Sequence, residues 1–180
     1  MSIKHPIISV TGSSGAGTST VKHTFQQIFR RESVKAVTLE GDAFHRYNRK
    51  EMKKELEKRH AAGDATFSHF SFDANLLPEL EDCFRNYSEQ GTCRYRHYIH
   101  NSNEENLYGA KPGNFTKWKK FEEPSDLLFY EGLHGAVVNE EINLARYADL
   151  KIGVVPVINL EWIQKIHRDT DSRGYSTEAV

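Results

Sequence analysis

Cysteine is scarce in this chain, which has only Cys83 and Cys93 among its 180 residues. Two cysteines are too few for a disulfide framework or a four-ligand zinc site, and we expect free thiols in a reducing cytoplasm. No apolar run reaches the about 18 residues that a membrane-spanning helix needs. The N-terminal residues also lack the apolar core of a signal peptide, so a cytoplasmic location is expected.

Net charge is also nearly absent, because 24 lysine and arginine residues face 25 aspartate and glutamate residues, for a formal charge of -1. Binding to nucleic acid or to an anionic membrane usually depends on a broad positive field, which this balance does not provide. We therefore expect neither partner. The sequence has no internal repeat and no low-complexity linker, so residues 1–180 are expected to form a single domain.

The most informative stretch is residues 7–29, where a strand-like apolar segment leads into a glycine-rich turn and then a helical segment. Glycines allow a tight turn whose N–H groups point at one anion, and the following helix N-terminus adds its own. Gly12, Gly17 and Ser19 match the P-loop pattern, but Thr18 stands at its lysine position. The pattern predicts a phosphate-binding loop that takes a cation from elsewhere in the chain. An ordinary turn between strand and helix is the alternative.

Two later strand-like segments lead into acidic residues. Residues 34–39 precede Asp42, and residues 126–132 contain Glu131. Open α/β sheets place their chemistry at the carboxyl ends of parallel strands. Asp42 is a candidate general base, because an ionised carboxylate needs position more than a shifted pKa; a capping or turn aspartate is the alternative. Glu131 resembles a Walker B carboxylate, which contacts Mg2+ or its water; a turn carboxylate after a core strand is the alternative.

Basic residues cluster in two places that could bind phosphate. His45, Arg46 and Arg49 follow Asp42 closely and could hold a phosphate carried by the acceptor. The alternative is the solvated face of a charged helix.

The second cluster lies on a helix near the C-terminal end. Lys165, Arg168 and Asp169 fall at i, i+3 and i+4 and therefore share one helix face. This face could supply the positive charge that Thr18 lacks and stabilise a transferring phosphoryl group. A salt-bridged surface helix explains the same spacing.

The remaining pattern predicts an α/β fold. Further elements are expected as helices over residues 46–62, 73–87 and 159–169, an exposed strand over 92–99, a loop over 101–120 and a buried strand over 150–157. Strands that alternate with helices favour a mostly parallel sheet flanked by helices on both faces, as in P-loop nucleoside triphosphate hydrolases and kinases. The segment around Arg94–Tyr98 is expected to add a small antiparallel piece at an edge of the sheet.

Four segments together resemble the bacterial form of the phosphoribulokinase family. They are GSSGAGTST (12–20), EGDAFHR (40–46), FYEGLHG (129–135) and VPVINLEWIQKIHRD (155–169), and the likeness runs along the whole chain. Thr18 is shared with this bacterial form. The plant form has a regulatory cysteine where this chain has Ala16, so thioredoxin control is not expected. The family's chains continue beyond Val180, and this chain is therefore expected to lack their C-terminal part.

The resemblance implies ATP-dependent phosphorylation of O1 of D-ribulose 5-phosphate, which gives ribulose 1,5-bisphosphate for the Calvin cycle. It implies ATP and Mg2+ as cofactors, a homo-oligomer, and NADH and AMP as effectors. A uridine or pantothenate kinase is one alternative, because residues 42–45 resemble their Asp-x-Phe-Tyr segment. A nucleotide-sensing module that binds ATP without transferring phosphate is the other.

The resemblance also implies roles for individual residues. The expected catalytic residues are Asp42, Lys165, Arg168 and Asp169. Contacts to the sugar phosphate are expected from His45, Arg49 and Arg173, metal contacts from Ser19 and Glu131, and an allosteric role from Arg31. The residues expected to hold the ATP phosphates are Gly12, Ser13, Ser14, Gly15, Ala16, Gly17, Thr18, Ser19 and Thr20.

Overall fold

The computed structural model describes residues 4–121, 123–173 and 176–177. Its strands are β1 (Ile7–Gly12), β2 (Ala36–Glu40), β3 (Arg94–Tyr95), β4 (Lys119–Lys120), β5 (Leu127–Gly132) and β6 (Leu150–Val154). A parallel four-stranded sheet has the order β2-β5-β1-β6. The short strands β3 and β4 do pair antiparallel, but they form a separate sheet and not the expected piece at an edge of the parallel sheet.

The α-helices in the described residues are α1 (Thr18–Arg31), α2 (Arg49–Ala61), α3 (Leu77–Gln90), α4 (Ser102–Tyr108) and α5 (Ile158–Arg173). A 3-10 turn, Gly41–Phe44, follows β2 directly. None of the described helices has both the length and the apolar character that crossing a bilayer requires.

Helices cover both faces of the parallel sheet because neighbouring residues of β5 point to opposite sides. On one face, the rings of Phe25 and Phe29 of α1 lie 5.2 and 5.7 Å from the ring of Phe129. On the other face, the ring of Phe84 in α3 lies 5.3 Å from that of Tyr130. The predicted α/β arrangement, a mostly parallel sheet flanked by helices, is confirmed.

The predicted buried strand over residues 150–157 is shorter and more exposed than expected. It ends at Val154, and Leu150 is 46% exposed while Val155 and Val157 are 91% and 73% exposed. Within the described residues β6 pairs only with β1, so it forms an edge of the sheet. An apolar run alone does not distinguish a central strand from such an edge.

Local capping moves two other boundaries. Helix α2 begins at Arg49 and not at residue 46, because the Asn48 side chain accepts from the N–H groups of Lys50 and Glu51. Asn101 caps α4 in the same way, so a helix occupies part of the predicted loop. The predicted strand over 92–99 keeps only the residues of β3. His45 and Arg46 consequently precede α2 and do not lie on it.

The expectation of free thiols is wrong, because Cys83 and Cys93 form a disulfide. Cys83 lies in α3, which ends at Gly91 with a φ of 72°. This left-handed turn reverses the chain and brings the two cysteine Cα atoms to 4.9 Å from each other. The spacing of the cysteines in the sequence does not reveal that turn.

Candidate active site

The predicted site residues meet at the carboxyl edge of the parallel sheet. The glycine loop begins at the end of β1, the turn with Asp42 follows β2, and Glu131 lies at the end of β5. The strand register places Glu131 beside Val10 on one side and beside Glu40 on the other. Parallel pairing therefore gathers residues that are about 90 or more positions apart in the sequence.

The glycine loop has the backbone that an anion cradle needs. Gly15 and Gly17 both have a φ of +95°, a conformation that other residues rarely adopt. A Cβ atom on Gly12 would lie 2.8 Å from the carbonyl oxygen of Val154. Helix α1 starts behind the loop with no side-chain cap and no acidic residue in its first turn. Its positive end is therefore available to a phosphate.

Thr18, at the lysine position of the P-loop pattern, contacts the acidic residue of β5. Its hydroxyl donates to Oε1 of Glu131 at 2.5 Å. One turn further along α1, Lys22 Nζ lies 2.7 Å from Glu40 Oε1 and 3.5 Å from Glu131 Oε2. Helix α1 thus holds both oxygens of the Glu131 carboxylate.

Lys22 is a charged residue of the site that the sequence reasoning missed. Burial alone would lower the pKa of its ammonium group, but the carboxylates of Glu40 and Glu131 outweigh burial and raise that pKa. Its position four residues after Thr18, on the same face of α1, is the signal that could have identified it.

Asp42 lies between two imidazole rings. Its Oδ1 is 3.3 Å from His45 Nε2, and its Oδ2 is 3.3 Å from His100 Nε2. The sequence predicts His45 near Asp42. It does not predict His100, which directly follows the strand expected over residues 92–99. Arg49 belongs to the same cluster, since its Nη2 donates to the carbonyl oxygen of His100 at 3.3 Å.

Arg96 fixes the turn that carries Asp42. Its Nε donates to the carbonyl oxygen of Ala43 at 2.8 Å and its Nη2 to that of His45 at 2.6 Å. The guanidinium also lies 3.6 Å from the centre of the Phe115 ring. Burial lowers the pKa of Arg96 to about 10, which still leaves it charged at neutral pH. No pattern in the sequence indicates this contact.

Helix α5 packs directly on the glycine loop. Arg168 Nη2 donates to Ser14 Oγ at 2.8 Å, and its Nε donates to Oδ1 of the buried Asp169 at 2.7 Å. A Cβ atom on Gly15 would lie 3.1 Å from Lys165 Cβ. The predicted group of Lys165, Arg168 and Asp169 is therefore brought to the loop.

A cleft of about 310 Å³ opens where the loop, α5 and the segment after β5 meet. Its lining residues are Ser13, Ser14, Phe70, Leu133, Glu161, Trp162 and Lys165. The cleft lies beside the P-loop, where a transferring group would be held.

Two predicted residues are not part of this arrangement. Arg31 ends α1, at the opposite end from the glycine loop and roughly 20 Å away along the helix axis. It is exposed and pairs with Glu32 at 2.8 Å. Arg173 is the last residue of α5, and its side chain lies outside the described residues.

The residues present fit a nucleotide phosphate with Mg2+ better than a metal held by protein alone. In the described part of the chain, no group of three or more His, Cys, Asp or Glu side chains gathers as a metal site. Mg2+ is commonly held by one or two protein oxygens together with substrate phosphates. Both residues expected to contact the metal lie at this edge of the sheet, Glu131 at the end of β5 and Ser19 in the first turn of α1.

Comparison with known proteins identifies relatives along the whole chain. Phosphoribulokinase 1 of Cereibacter sphaeroides is 72% identical over 180 residues, which are 100% of this chain and 62% of the relative. The phosphoribulokinase of Nitrobacter vulgaris is 63% identical over 177 residues, 98% of this chain and 61% of the relative. The chain thus spans about 62% of the length of the first of these curated relatives.

Solved structures of related proteins also match this chain. A phosphoribulokinase from Rhodobacter spheroides has a TM-score of 0.83 and 69% identity, over 98% of this chain and 60% of that structure. A possible uridine kinase from Bacillus stearothermophilus shares the fold, with a TM-score of 0.61 and 12% identity. The match covers 97% of this chain and 85% of that structure. The model of the Phosphoribulokinase / Uridine kinase family matches residues 7–180. The chain therefore belongs to the phosphoribulokinase and uridine kinase family.

Proposed function

We propose that this chain forms the nucleotide-binding and acceptor-binding part of an ATP-dependent kinase that converts D-ribulose 5-phosphate into ribulose 1,5-bisphosphate. The observation that carries the proposal is Asp42, held between His45 and His100 at the same sheet edge as the glycine loop. A carboxylate with basic side chains beside it supports the proposal of a base next to an acceptor that carries its own phosphate. The relatives named phosphoribulokinase, 72% and 63% identical, support that acceptor.

Asp42 is the proposed general base. It takes the proton of the O1 hydroxyl while that oxygen forms a bond to the γ-phosphorus of ATP. The bond between this phosphorus and the oxygen that bridges to the β-phosphate breaks, and ADP leaves. His45 and His100, each 3.3 Å from one carboxylate oxygen, orient Asp42 for this transfer.

The remaining residues bind and neutralise phosphate. The glycine loop, residues 12–20, holds the ATP phosphates through its backbone N–H groups. Lys165 and Arg168 stabilise the charge on the transferring group, since α5 brings both to the loop. Mg2+, held through Ser19 and Glu131, would shield the negative charge of the phosphates.

The acceptor's own phosphate is assigned to His45 and Arg49, and to Arg173 as a further contact. A homo-oligomer that responds to NADH and AMP, with Arg31 as an effector contact, belongs to the same proposal. The distance of Arg31 from the glycine loop, roughly 20 Å along α1, suits an effector site better than a catalytic one.

The test is a coupled assay of ADP release from MgATP with ribulose 5-phosphate or uridine as acceptor. It is run on the 180-residue chain and on a version extended to the length of its relatives. We expect release that depends on ribulose 5-phosphate in the extended version. Release with uridine in its place would assign the chain to uridine kinases, and ATP binding without release would favour a nucleotide sensor.

Asp42→Asn tests the base directly. We expect a fall in kcat of about 100-fold or more, with the affinity for MgATP little changed. Asp82→Asn, an exposed aspartate on α3 that pairs with Arg85, is the matched control. Near-normal turnover of Asp42→Asn would remove Asp42 from the role of base.

A further inference from the structure

The amide of Asn75 beside His45 has only one orientation that satisfies its hydrogen bonds. Asn75 is 2% exposed, and its Nδ2 donates to the carbonyl oxygens of His69 at 2.9 Å and Ser71 at 2.8 Å. Carbonyl oxygens can only accept, so the nitrogen must be on that side. The amide oxygen Oδ1 therefore faces His45, at 2.8 Å from Nδ1.

This orientation decides where His45 carries its protons. Because Asn75 Oδ1 can only accept, Nδ1 of His45 must carry a hydrogen. A neutral imidazole with a hydrogen on Nδ1 has a lone pair on Nε2. That Nε2 lies 3.3 Å from the Asp42 carboxylate, so its lone pair would face a negative charge. A second proton on Nε2 turns this repulsion into an ion pair.

We infer that Asn75 is a positioning residue that holds His45 as a doubly protonated cation beside Asp42. The positively charged ring of His45, balanced by Asp42, then lies at the place assigned to the acceptor's phosphate, where a neutral ring would leave the negative charge of Asp42 uncompensated, and this last step rests on the proposed function. Without Asn75, a neutral His45 could satisfy Asp42 by donating from Nε2 alone. Asn75 removes that neutral alternative.

Other titratable or charged groups also face His45. Arg96 donates to the carbonyl oxygen of His45, and the rings of His69 and Tyr98 both have their centres 6.0 Å from that of His45. Further groups nearby are His100 on the other oxygen of Asp42, His134, and Arg46, which donates to the carbonyl oxygen of Asn75.

The groups around His45 have opposing effects on its protonation, and the geometry favours the cation. Burial and the charge of Arg96 disfavour protonation of His45. The Asp42 carboxylate and the Asn75 side chain outweigh them, so the pKa of His45 is raised above its ordinary value of 6.5. The charge of His45 is therefore kept to a higher pH than that of an ordinary histidine, and it is lost as the pH rises through the raised pKa.

The first test reads protonation directly and needs no substrate. Long-range proton–nitrogen NMR spectra of the 180-residue chain, recorded across pH, report the pKa and tautomer of each histidine, and His45→Gln assigns the signal. We expect a pKa above 6.5 and, at higher pH, a neutral form with its hydrogen on Nδ1. A neutral form with its hydrogen on Nε2, or a pKa at or below 6.5, would overturn the inference.

Two variants of Asn75 then move the pKa of His45 in different directions. Asn75→Ala removes the acceptor and should lower that pKa by about one unit or more, with the neutral hydrogen on Nε2. Asn75→Asp keeps an acceptor at Nδ1 and should hold or raise the pKa. Asn103→Ala, an exposed position on α4, should leave it unchanged. If Asn75→Ala fails to fold, the wild-type spectrum and Asn75→Asp still decide. A neutral His45 with its hydrogen on Nε2 in Asn75→Asp would contradict the inference.

The link to the acceptor is tested by kinetics in the extended chain. For Asn75→Ala we expect the KM for ribulose 5-phosphate to rise about 10-fold at a pH between the two His45 pKa values that NMR gives for wild type and variant, with little change at a pH below both values, where His45 is protonated in either protein. A purely structural loss would raise KM equally at both pH values and would contradict the charge-holding role. If the NMR results are as expected but the change in KM does not depend on pH, the Asn75–His45 pairing is retained and the phosphate subsite is rejected.

Discussion

The hydroxyl of Thr18 donates to Oε1 of Glu131 at 2.5 Å, so the side chain at the P-loop lysine position binds a carboxylate of the protein itself. A lysine there would usually extend toward the outer phosphates of the nucleotide. In this chain the threonine instead orients the carboxylate proposed to contact Mg2+, and Lys165 and Arg168 of α5 bring positive charge to the loop.

Thr18→Val should weaken the contribution of Mg2+ to nucleotide binding. The variant keeps the shape of the side chain but removes the donor to Glu131. We expect the affinity for MgATP to fall about 10-fold, with the affinity for metal-free ATP unchanged, as measured by calorimetry. Thr18→Ser should behave as wild type. Thr24→Val, on an exposed turn of α1, is the control, because its hydroxyl bonds only within the helix to the carbonyl oxygen of Thr20.

Lys22→Met should destabilise the fold by leaving two facing carboxylates without a counter-charge. We expect a loss of about 1–2 kcal/mol in the free energy of unfolding, since Glu40 is 41% exposed and solvent screens part of the repulsion. Denaturant unfolding measures it, with Arg30→Met on the exposed end of α1 as control. Lys22→Met combined with Glu40→Gln should recover part of the loss.

The same ion pair predicts a pH dependence. The pKa of Lys22 is raised above its ordinary 10.5, so its contribution is fully present below pH 10.5 and is lost as the pH rises through the raised value. The difference in unfolding free energy between wild type and Lys22→Met should therefore stay constant from about pH 6 to 9. A difference that already vanishes within this range would contradict the assignment of the ion pair.

Arg168→Ala should weaken catalysis more than nucleotide binding. It removes the hydrogen bond to Ser14 and the positive charge that is proposed to stabilise the transferring phosphoryl group. We expect kcat in the extended chain to fall about 100-fold or more and the KM for ATP to change less than 10-fold. Gln164→Ala, exposed on the same helix, is the control. A change confined to the KM for ATP would instead make Arg168 a nucleotide-binding residue.

Arg96→Lys should disturb the turn that holds Asp42. Lysine keeps the charge but cannot bond both Ala43 and His45 or stack on Phe115 in the same way. We expect kcat to fall and the KM for ribulose 5-phosphate to rise, each about 10-fold, with the affinity for ATP unchanged. Arg94→Lys, on the exposed side of β3, should have no effect. Equal activity of the two variants would exclude a positioning role for Arg96.

The strand and helix sequence of the nucleotide-binding half was predictable because its pattern is local. The apolar run of β1, the glycines of the loop and the helix after Gly17 are adjacent in the chain, and each has a strong propensity. The same holds for β5 with its terminal Glu131. These elements also specify the fold class, since parallel strands require helical connections.

The supporting residues of the site were not predictable because their contacts join distant parts of the chain. His100 reaches Asp42, and Asn75 reaches His45, across 58 and 30 positions. Neither carries a motif, and a histidine or asparagine alone has no preferred role. The disulfide was missed for a related reason, because the turn at Gly91 that pairs the two cysteines depends on a single residue's backbone.

The position of β5 between β2 and β1 has a consequence for how the chain folds during synthesis. The glycine loop and β1 are synthesised before β5 and β6, the strands with which β1 pairs, so Ile7 has no strand partner until Leu128 has been made. β2 also pairs with β5 and cannot close the sheet with β1 by itself. Such non-local pairing slows folding. A nascent chain that stops before Leu127 therefore cannot form the parallel sheet that holds its glycine loop, and nucleotide can assist folding only after β5 has been made.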